Sequence, residues 1–148
     1  MTDRHEGNAA IQREFVHSLL GELIGEGIAR RVFRFPLIKD CVIKIEDGSR
    51  SFQNVIEWEA WERVRGTSVE RWFAPCEWIS SCGSVLLMKR TTPAYEKDLP
   101  GRLPVFLTDT KRSNYGMYKG RLVCHDYGTH ILIERGMSKA TRKVEWWD

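Results

Sequence analysis

The chain has 148 residues, of which 29% are charged and 42% are hydrophobic, a composition typical of one globular domain with its own core. Its formal net charge of +3 is too small to indicate nucleic-acid binding by itself. No apolar run approaches the ~18 residues of a membrane-spanning helix, and residues 1–10 lack the apolar core of a signal peptide. We therefore expect a single cytoplasmic domain over residues 1–148, with no membrane partner.

The cysteines are scattered along the chain without C-x-x-C spacing, and three of the four lie in apolar, strand-like runs: Cys41, Cys76, Cys82 and Cys124. This distribution favours buried, reduced thiols over a metal site or a disulfide framework. Reduced thiols agree with the cytoplasmic expectation.

Residues 1–22 are predicted to form an N-terminal helical extension. Asn8 is a suitable N-cap, and Ile11, Phe15, Leu19 and Leu20 follow it on one stripe at helical spacing. This pattern predicts an amphipathic helix that packs on the rest of the domain.

The next segment predicts two strands joined by a tight loop. Gly25 and Gly27 flank one residue, and Val32 lies five positions after the second glycine. Such a loop allows backbone N–H groups to approach phosphates, although G-x-G alone is more often an ordinary turn. Arg30 stands where G-x-G-x-x-G-x-V has its third glycine. With an arginine in this position, it stays open whether the loop can cover phosphates closely. An arginine can, however, itself pair with phosphate.

Lys44 lies inside a buried-looking strand over residues 41–45. A lysine in this position either faces solvent by alternation or is held inward by a partner. The helix predicted over residues 52–65 offers three glutamates, Glu57, Glu59 and Glu62.

Helical periodicity separates these glutamates. Glu57 shares its face with Ala60, Trp61 and Val64, whereas Glu59 and Glu62 share a charged face. We therefore predict that Glu57 meets Lys44; the alternative, that all three are surface charges, stays open.

Two more strands are predicted over residues 72–81 and 84–91, around a turn at Cys82-Gly83. Residues 91–104 contain Pro93, Pro100 and Pro104, so this stretch cannot hold a long uninterrupted helix.

Residues 109–128 carry the densest group of polar residues with a recognisable spacing. Asp109, Lys111 and Asn114 form the pattern D-x-K-x-x-N, and a hairpin with a turn at Lys119-Gly120 follows. The second hairpin strand ends in D-Y-G at residues 126–128.

Taken in order, these elements resemble a truncated protein-kinase-like domain, similar to the very small kinase-like proteins of some phages and bacteria. The resemblance covers residues 23–128 and implies an α+β fold. Residues 23–91 would form an N-lobe, an antiparallel sheet with one C-type helix. Residues 92–148 would contain the catalytic loop, the D-Y-G hairpin and a tail, with most of the helical C-lobe missing. The His-Arg that usually precedes the catalytic Asp is absent, as is A-P-E.

The resemblance also implies a nucleotide site for ATP and Mg²⁺. Lys44 and Glu57 would form the phosphate-orienting ion pair. The remaining cofactor-binding positions would be Gly25, Gly27, Val32 and, facing the adenine, Met88.

Catalytic and metal-binding roles follow in the same way from the resemblance. Asp109 would orient the substrate hydroxyl, and Lys111 would lie near the γ-phosphate. Asn114 and Asp126 would bind Mg²⁺, a hard cation that prefers oxygen ligands.

The retained polar residues favour a minimal kinase that binds Mg-ATP and phosphorylates a protein or itself. The alternative is a pseudokinase-like module that engages or inhibits a partner protein without catalysis. A third reading, an α+β interaction protein with coincidental motif matches, also stays open. The basic residues of the tail favour a solvated, partly packed terminus over a nucleic-acid patch. A second copy of the chain, in a homodimer, is an open source for the missing lobe.

Overall fold

The structure is a computed structural model that describes residues 10–11, 14, 17–46, 51–128 and 138–148. It is an α+β fold with a five-stranded antiparallel sheet in the order β1-β2-β3-β5-β4. The strands are β1 (Leu23–Glu26), β2 (Arg30–Arg34), β3 (Cys41–Glu46), β4 (Cys76–Ile79) and β5 (Val85–Lys89). Both the antiparallel sheet of about five strands and its hairpin at residues 23–34 confirm the sequence prediction.

Alternation along the central strands gives the sheet two different faces. Val42, Leu86 and Met88 point to the main core, whereas Phe33, Ile43 and Leu87 form a smaller cluster on the opposite face. Lys44 follows Val42 by two residues and therefore points to the side of the main core.

Helix α2 (Gln53–Val64) packs against the main-core side of the sheet. Its buried residues recur at helical spacing: Asn54, Glu57, Ala60, Trp61 and Val64. The prediction that Glu57 lies on the apolar face of this helix is confirmed, and Asn54 extends that face by one turn. The C-terminal end of the helix is followed by Gly66, whose φ of 78° favours glycine.

The N-terminal extension agrees only in part with its prediction. Residues 10, 11, 14 and 17–19 are helical and form α1. Leu20 packs against the smaller cluster of the sheet, but Ile11 is 67% exposed, so the expected apolar stripe is not buried along its length. Asn8 and Phe15 lie outside the described residues.

Residues 92–148 build two small sheets beside the large one. The strands β6 (Thr92–Pro93), β8 (Tyr115–Tyr118) and β9 (Arg121–Cys124) form the first, in the order β6-β8-β9. The strands β7 (Arg102–Pro104) and β10 (Thr141–Lys143) form the second. Residues 91–104 contain only short elements, as their prolines predict.

The β8–β9 hairpin has the turn that the sequence predicts. Lys119 and Gly120 both adopt positive φ, 50° and 77°, as a type I′ turn requires. Met117 pairs with Leu122, and this register brings residues 125–128 back to the large sheet. At the end of β9, the Cys124 carbonyl accepts a hydrogen bond of 2.9 Å from the Ala74 N–H, which lies just before β4.

Some boundaries differ from the sequence prediction. The strand expected over 72–81 begins at Cys76, because Glu70–Trp72 form a 3₁₀ turn. The sequence also contains a strand-like run at residues 129–134, which lies outside the described residues. No helix in the described part of the chain is long and apolar enough to cross a bilayer.

Candidate functional site

A cleft of about 550 Å³ lies between the β1–β2 hairpin and the segment that carries residues 111–126. Strands β3 and β5 contribute its inner wall, and residues 89–93, which leave β5, form one edge. Eight of the ten residues assigned from the sequence line it: Gly25, Gly27, Val32, Lys44, Met88, Lys111, Asn114 and Asp126. The other two, Glu57 and Asp109, belong to the described residues but lie outside the lining.

Lys44 is held at the back of the cleft by Glu57. The Lys44 ammonium donates to both carboxylate oxygens of Glu57, at 2.8 and 3.1 Å, and to the backbone carbonyl of His125. Lys44 is only 3% exposed and Glu57 is fully buried, so this pair is removed from bulk water. The prediction that the Lys44 and Glu57 side chains meet is confirmed.

The Glu57 carboxylate is ionised because it is paired twice. Burial by itself raises the pKa of this carboxyl, but the combined attraction of Lys44 and Arg30 outweighs burial and lowers the pKa below its ordinary value. Since the folded pKa is lowered, the stabilisation is present at neutral pH and is lost only as the pH falls through that lowered value.

Arg30 does not reach out to solvent or to a phosphate site at the hairpin tip. Its guanidinium donates to Glu57 at 2.5 Å, to Asn54 at 3.1 Å and to Asp126 at 3.0 Å, and the residue is 5% exposed. Burial alone lowers the pKa of Arg30, but the attraction of Glu57 and Asp126 outweighs burial and raises the pKa above its ordinary value. The side chain is therefore always charged. Whether Arg30 pairs with phosphate stays a prediction; in this structure its guanidinium bonds three protein side chains.

The glycines of the hairpin also differ from their expected role. Neither Gly25 nor Gly27 is among the described residues with positive φ, and a Cβ at either would make only ordinary contacts. The Gly27 N–H donates to the Arg30 carbonyl at 2.8 Å, closing the turn. This amide is thus already used within the hairpin.

His125 joins the two sides of the cleft. Its Nε2 lies 2.8 Å from the Ser113 carbonyl, which only accepts, so Nε2 carries the proton. Nδ1 then accepts from the Thr91 hydroxyl at 2.7 Å. Removal from water and the nearby Lys44 cation both lower the pKa of His125, so the ring is neutral at pH 7.

A neutral His125 predicts a specific loss of stability in mild acid. Unfolded histidine takes a proton near pH 6.5, whereas the folded ring resists it, so the free energy of unfolding falls as the pH drops below about 6.5. The slope for one proton is at most about 1.4 kcal/mol per pH unit until the folded pKa is reached. Urea unfolding between pH 7.5 and 5 measures it. The slope should shrink in His125→Gln and persist in His17→Gln, an exposed control; equal slopes in both variants would contradict the assignment.

Asp109 is turned toward its own loop. Its carboxylate accepts from the Lys111 N–H at 3.1 Å, and its backbone carbonyl accepts from the Tyr115 hydroxyl at 2.8 Å. Lys111 does line the cleft, with its ammonium 5.3 Å from the centre of the Trp147 ring. The expectation that Asp109, Asn114 and Asp126 converge on one cleft therefore holds for only two of the three.

The C-terminal tail supports this loop. The Arg112 N–H donates to the Trp147 carbonyl at 2.8 Å, and the Trp146 ring packs edge-on against Tyr115 at 5.0 Å. Strand β10 attaches the tail to β7. The tail is thus partly packed, as expected, and it fixes the position of Lys111.

The oxygen donors predicted for Mg²⁺ do not fit the ion as they stand. Asn114 and Asp126 have suitable ligand chemistry and line one cleft. However, Arg30 already neutralises Asp126, and a second cation beside Asp126 would face this guanidinium. Among the described residues there is also no group of three or more His, Cys, Asp or Glu side chains arranged to hold a metal.

The cleft has an apolar part and a cationic part. Val32, Val42 and Met88 line one region. Five cationic side chains line the cleft against two carboxylates, Glu26 and Asp126; the five are Arg30, Lys44, Lys89, Arg90 and Lys111. Within the described residues Arg30, Lys44 and Lys89 are paired with carboxylates, so Arg90 and Lys111 are the lining cations without an ion pair, and they favour an anionic ligand.

The cysteines agree with their prediction except at one position. Cys41, Cys76 and Cys124 are buried, and burial raises the pKa of each thiol. Cys82 is exposed because it lies in the tight turn between β4 and β5.

A scan of the chain against models of protein families finds no match, and a search of curated proteins finds none either. The function of the cleft is therefore inferred from its own geometry and chemistry.

Proposed function

We propose that this chain is a protein-kinase-like nucleotide-binding protein that takes ATP, or a related nucleoside triphosphate, in the cleft beneath the β1–β2 hairpin. One observation carries the proposal: a buried lysine, Lys44, is fixed by a helix carboxylate, Glu57, at the back of a cleft that Arg90 and Lys111 also line. A buried ion pair is costly to maintain for stability alone, so its position at a cleft supports a binding role.

The apolar part of the cleft suits a purine base. Val32 and Val42 lie on neighbouring strands, and Met88 lies on the next strand of the sheet. Flat aromatic faces gain from burial between such side chains, and methionine adapts to their shape. The base would lie at the β5 edge, next to residues 89–91.

The cationic part suits the phosphates. Lys44 presents a point charge whose position is fixed by Glu57, and Lys111 approaches from the opposite side of the cleft. Charge-assisted bonds to phosphate oxygens are stronger than neutral ones, and a fixed lysine loses little entropy on binding.

Two contacts favour the binding module, a pseudokinase-like protein that engages a partner, over an active enzyme. Asp126 is paired with Arg30, and Asp109 is bonded to its own loop outside the cleft. Phosphoryl transfer relies on metal and hydroxyl-orienting groups that are free to act. In this arrangement each carboxylate already has one protein partner, although the Asp126 side chain is 51% exposed.

Phosphoryl transfer to a protein hydroxyl, or to the chain itself, is the second candidate. The observation in its favour is that Lys111 and Asn114 line the same cleft as Lys44. Transfer of label from ATP by the wild type, abolished in Asp109→Ala, would make this candidate the better one.

Calorimetric titration with ATP tests the proposed function. Wild type should bind, and Lys44→Met should bind about tenfold or more weakly because it loses a charge-assisted phosphate contact. Lys89→Met is the matched control: Lys89 lies at the cleft edge, but its ammonium pairs with Asp40 at 2.6 Å and Glu77 at 3.5 Å. Equal affinities in the two variants, or no binding by folded wild type, would overturn the proposal.

A further inference from the structure

Arg30 and Asp126 form the least expected contact of the site. Arg30 begins β2, and its guanidinium passes under the hairpin to the carboxylate of Asp126, 96 residues later in the chain. The same guanidinium bonds Asn54 and Glu57 on α2. Partners on two elements, α2 and the segment after β9, therefore fix this one cation.

The charges in this cluster balance before any ligand arrives. Two cations, Arg30 and Lys44, face two carboxylates, Glu57 and Asp126. A carboxylate in a nucleotide site normally depends on a divalent metal to offset its repulsion of the phosphates. Asp126 already has that offset from a side chain.

A divalent ion added at Asp126 would meet an unfavourable field. Arg30 lies 3.0 Å from one Asp126 oxygen, and it cannot lose its charge. The ion would either displace a guanidinium that three groups hold in the interior or sit beside it against like-charge repulsion.

We propose that Arg30 is the resident cation of this site, so that the chain binds its nucleotide without a divalent metal at Asp126. This inference rests on the proposed nucleotide-binding function and specifies its ligand: the metal-free nucleoside triphosphate. Arg30 offsets Asp126, while Lys44, held by Glu57, and the other cleft cations meet the phosphates.

The first test measures ATP affinity in EDTA and in millimolar MgCl₂ for wild type and Arg30→Ala. Wild type should bind ATP in EDTA at least as tightly as in MgCl₂, because it needs no metal at Asp126 and Mg²⁺ complexes part of the free ATP. Arg30→Ala should bind about tenfold more weakly in EDTA and recover in MgCl₂, because Asp126 is then an unpaired carboxylate open to metal. Arg31→Ala is the matched control: it removes the same charge from the next residue, whose side chain is exposed and lies over Phe33.

The second test uses metal alone and does not depend on nucleotide. The melting temperature of wild type should not change with MgCl₂ or MnCl₂, whereas that of Arg30→Ala should rise. If Arg30→Ala does not fold, Arg30→Gln takes its place in both tests, because its amide can still bond Asn54 and Glu57.

The outcomes separate this inference from the function on which it rests. Wild-type ATP binding that needs Mg²⁺ as strongly as binding by the Arg30 variants would overturn the inference and leave nucleotide binding intact. Metal-induced stabilisation of wild type that Asp126→Asn abolishes would also overturn it. No ATP binding by any folded variant in either buffer would overturn the proposed function itself.

Discussion

Replacing Glu57 with glutamine should lower the free energy of unfolding by about 3–5 kcal/mol, the usual cost of leaving a buried charge without its partner. Lys44 and Arg30 are 3% and 5% exposed, and both depend on this carboxylate. An amide has the same shape but no charge, so the two cations would repel each other in the interior. Urea unfolding at pH 7 measures the loss.

A control and a rescue make this prediction specific. Glu59→Gln, two residues away on the exposed face of α2, should change stability by less than about 0.5 kcal/mol. Adding Lys44→Met to Glu57→Gln should recover part of the loss, because one of the two stranded cations is removed. A double variant less stable than Glu57→Gln alone would contradict the charge argument.

Truncating Tyr127 to alanine should cost about 3–5 kcal/mol, as for other large aromatic residues in a core. Tyr127 is fully buried, its ring meets Phe73 edge-on at 5.0 Å, and its hydroxyl donates to the Ala74 carbonyl at 2.9 Å. Because Tyr127 follows Asp126 directly, this packing also holds the carboxylate at the cleft.

The two contributions of Tyr127 can be separated. Tyr127→Phe keeps the ring and loses the hydroxyl contact, so it should cost only about 1–2 kcal/mol. Tyr95→Ala, at an exposed tyrosine, should cost less than about 1 kcal/mol. If chemical denaturation gives Tyr127→Phe and Tyr127→Ala the same loss, ring packing does not anchor this segment.

The parts of the site that follow a local period could be predicted from the sequence. Glu57 was distinguished from Glu59 and Glu62 because it repeats with Ala60, Trp61 and Val64, and the structure buries that face. The direction of Lys44 could not be predicted in this way: alternation left it open, and only the kinase-like order of the elements favoured an inward lysine.

Arg30 shows where a local motif misleads. Read as a substitute for glycine, it belongs to a loop near phosphates. Read by alternation in β2, it shares a face with Val32, which lines the cleft. Strand alternation therefore predicts that Arg30 points inward. It does not predict the contact with Asp126, because that contact depends on packing between segments far apart in the chain.

His125 and Asp109 depend on contacts that the sequence does not encode locally. His125 bonds Thr91, 34 residues away, and no motif joins them. The loop that carries Asp109 is positioned by Trp147, at the far end of the chain. Spacing alone predicts which residues are near one another along the chain, but not the direction in which a loop carboxylate points.

Amide chemical-shift mapping during an ATP titration tests the central claim most directly, since a 17.2 kDa chain is well suited to such spectra. The largest shifts should fall at Val32, Met88, Thr91 and His125, which surround the cleft. A second concavity, between α2 and β4 and lined by Trp58 and Trp61, serves as the internal control. Shifts confined to the cleft would support the account; shifts centred on Trp58 and Trp61, or no shifts at saturating ATP, would contradict it.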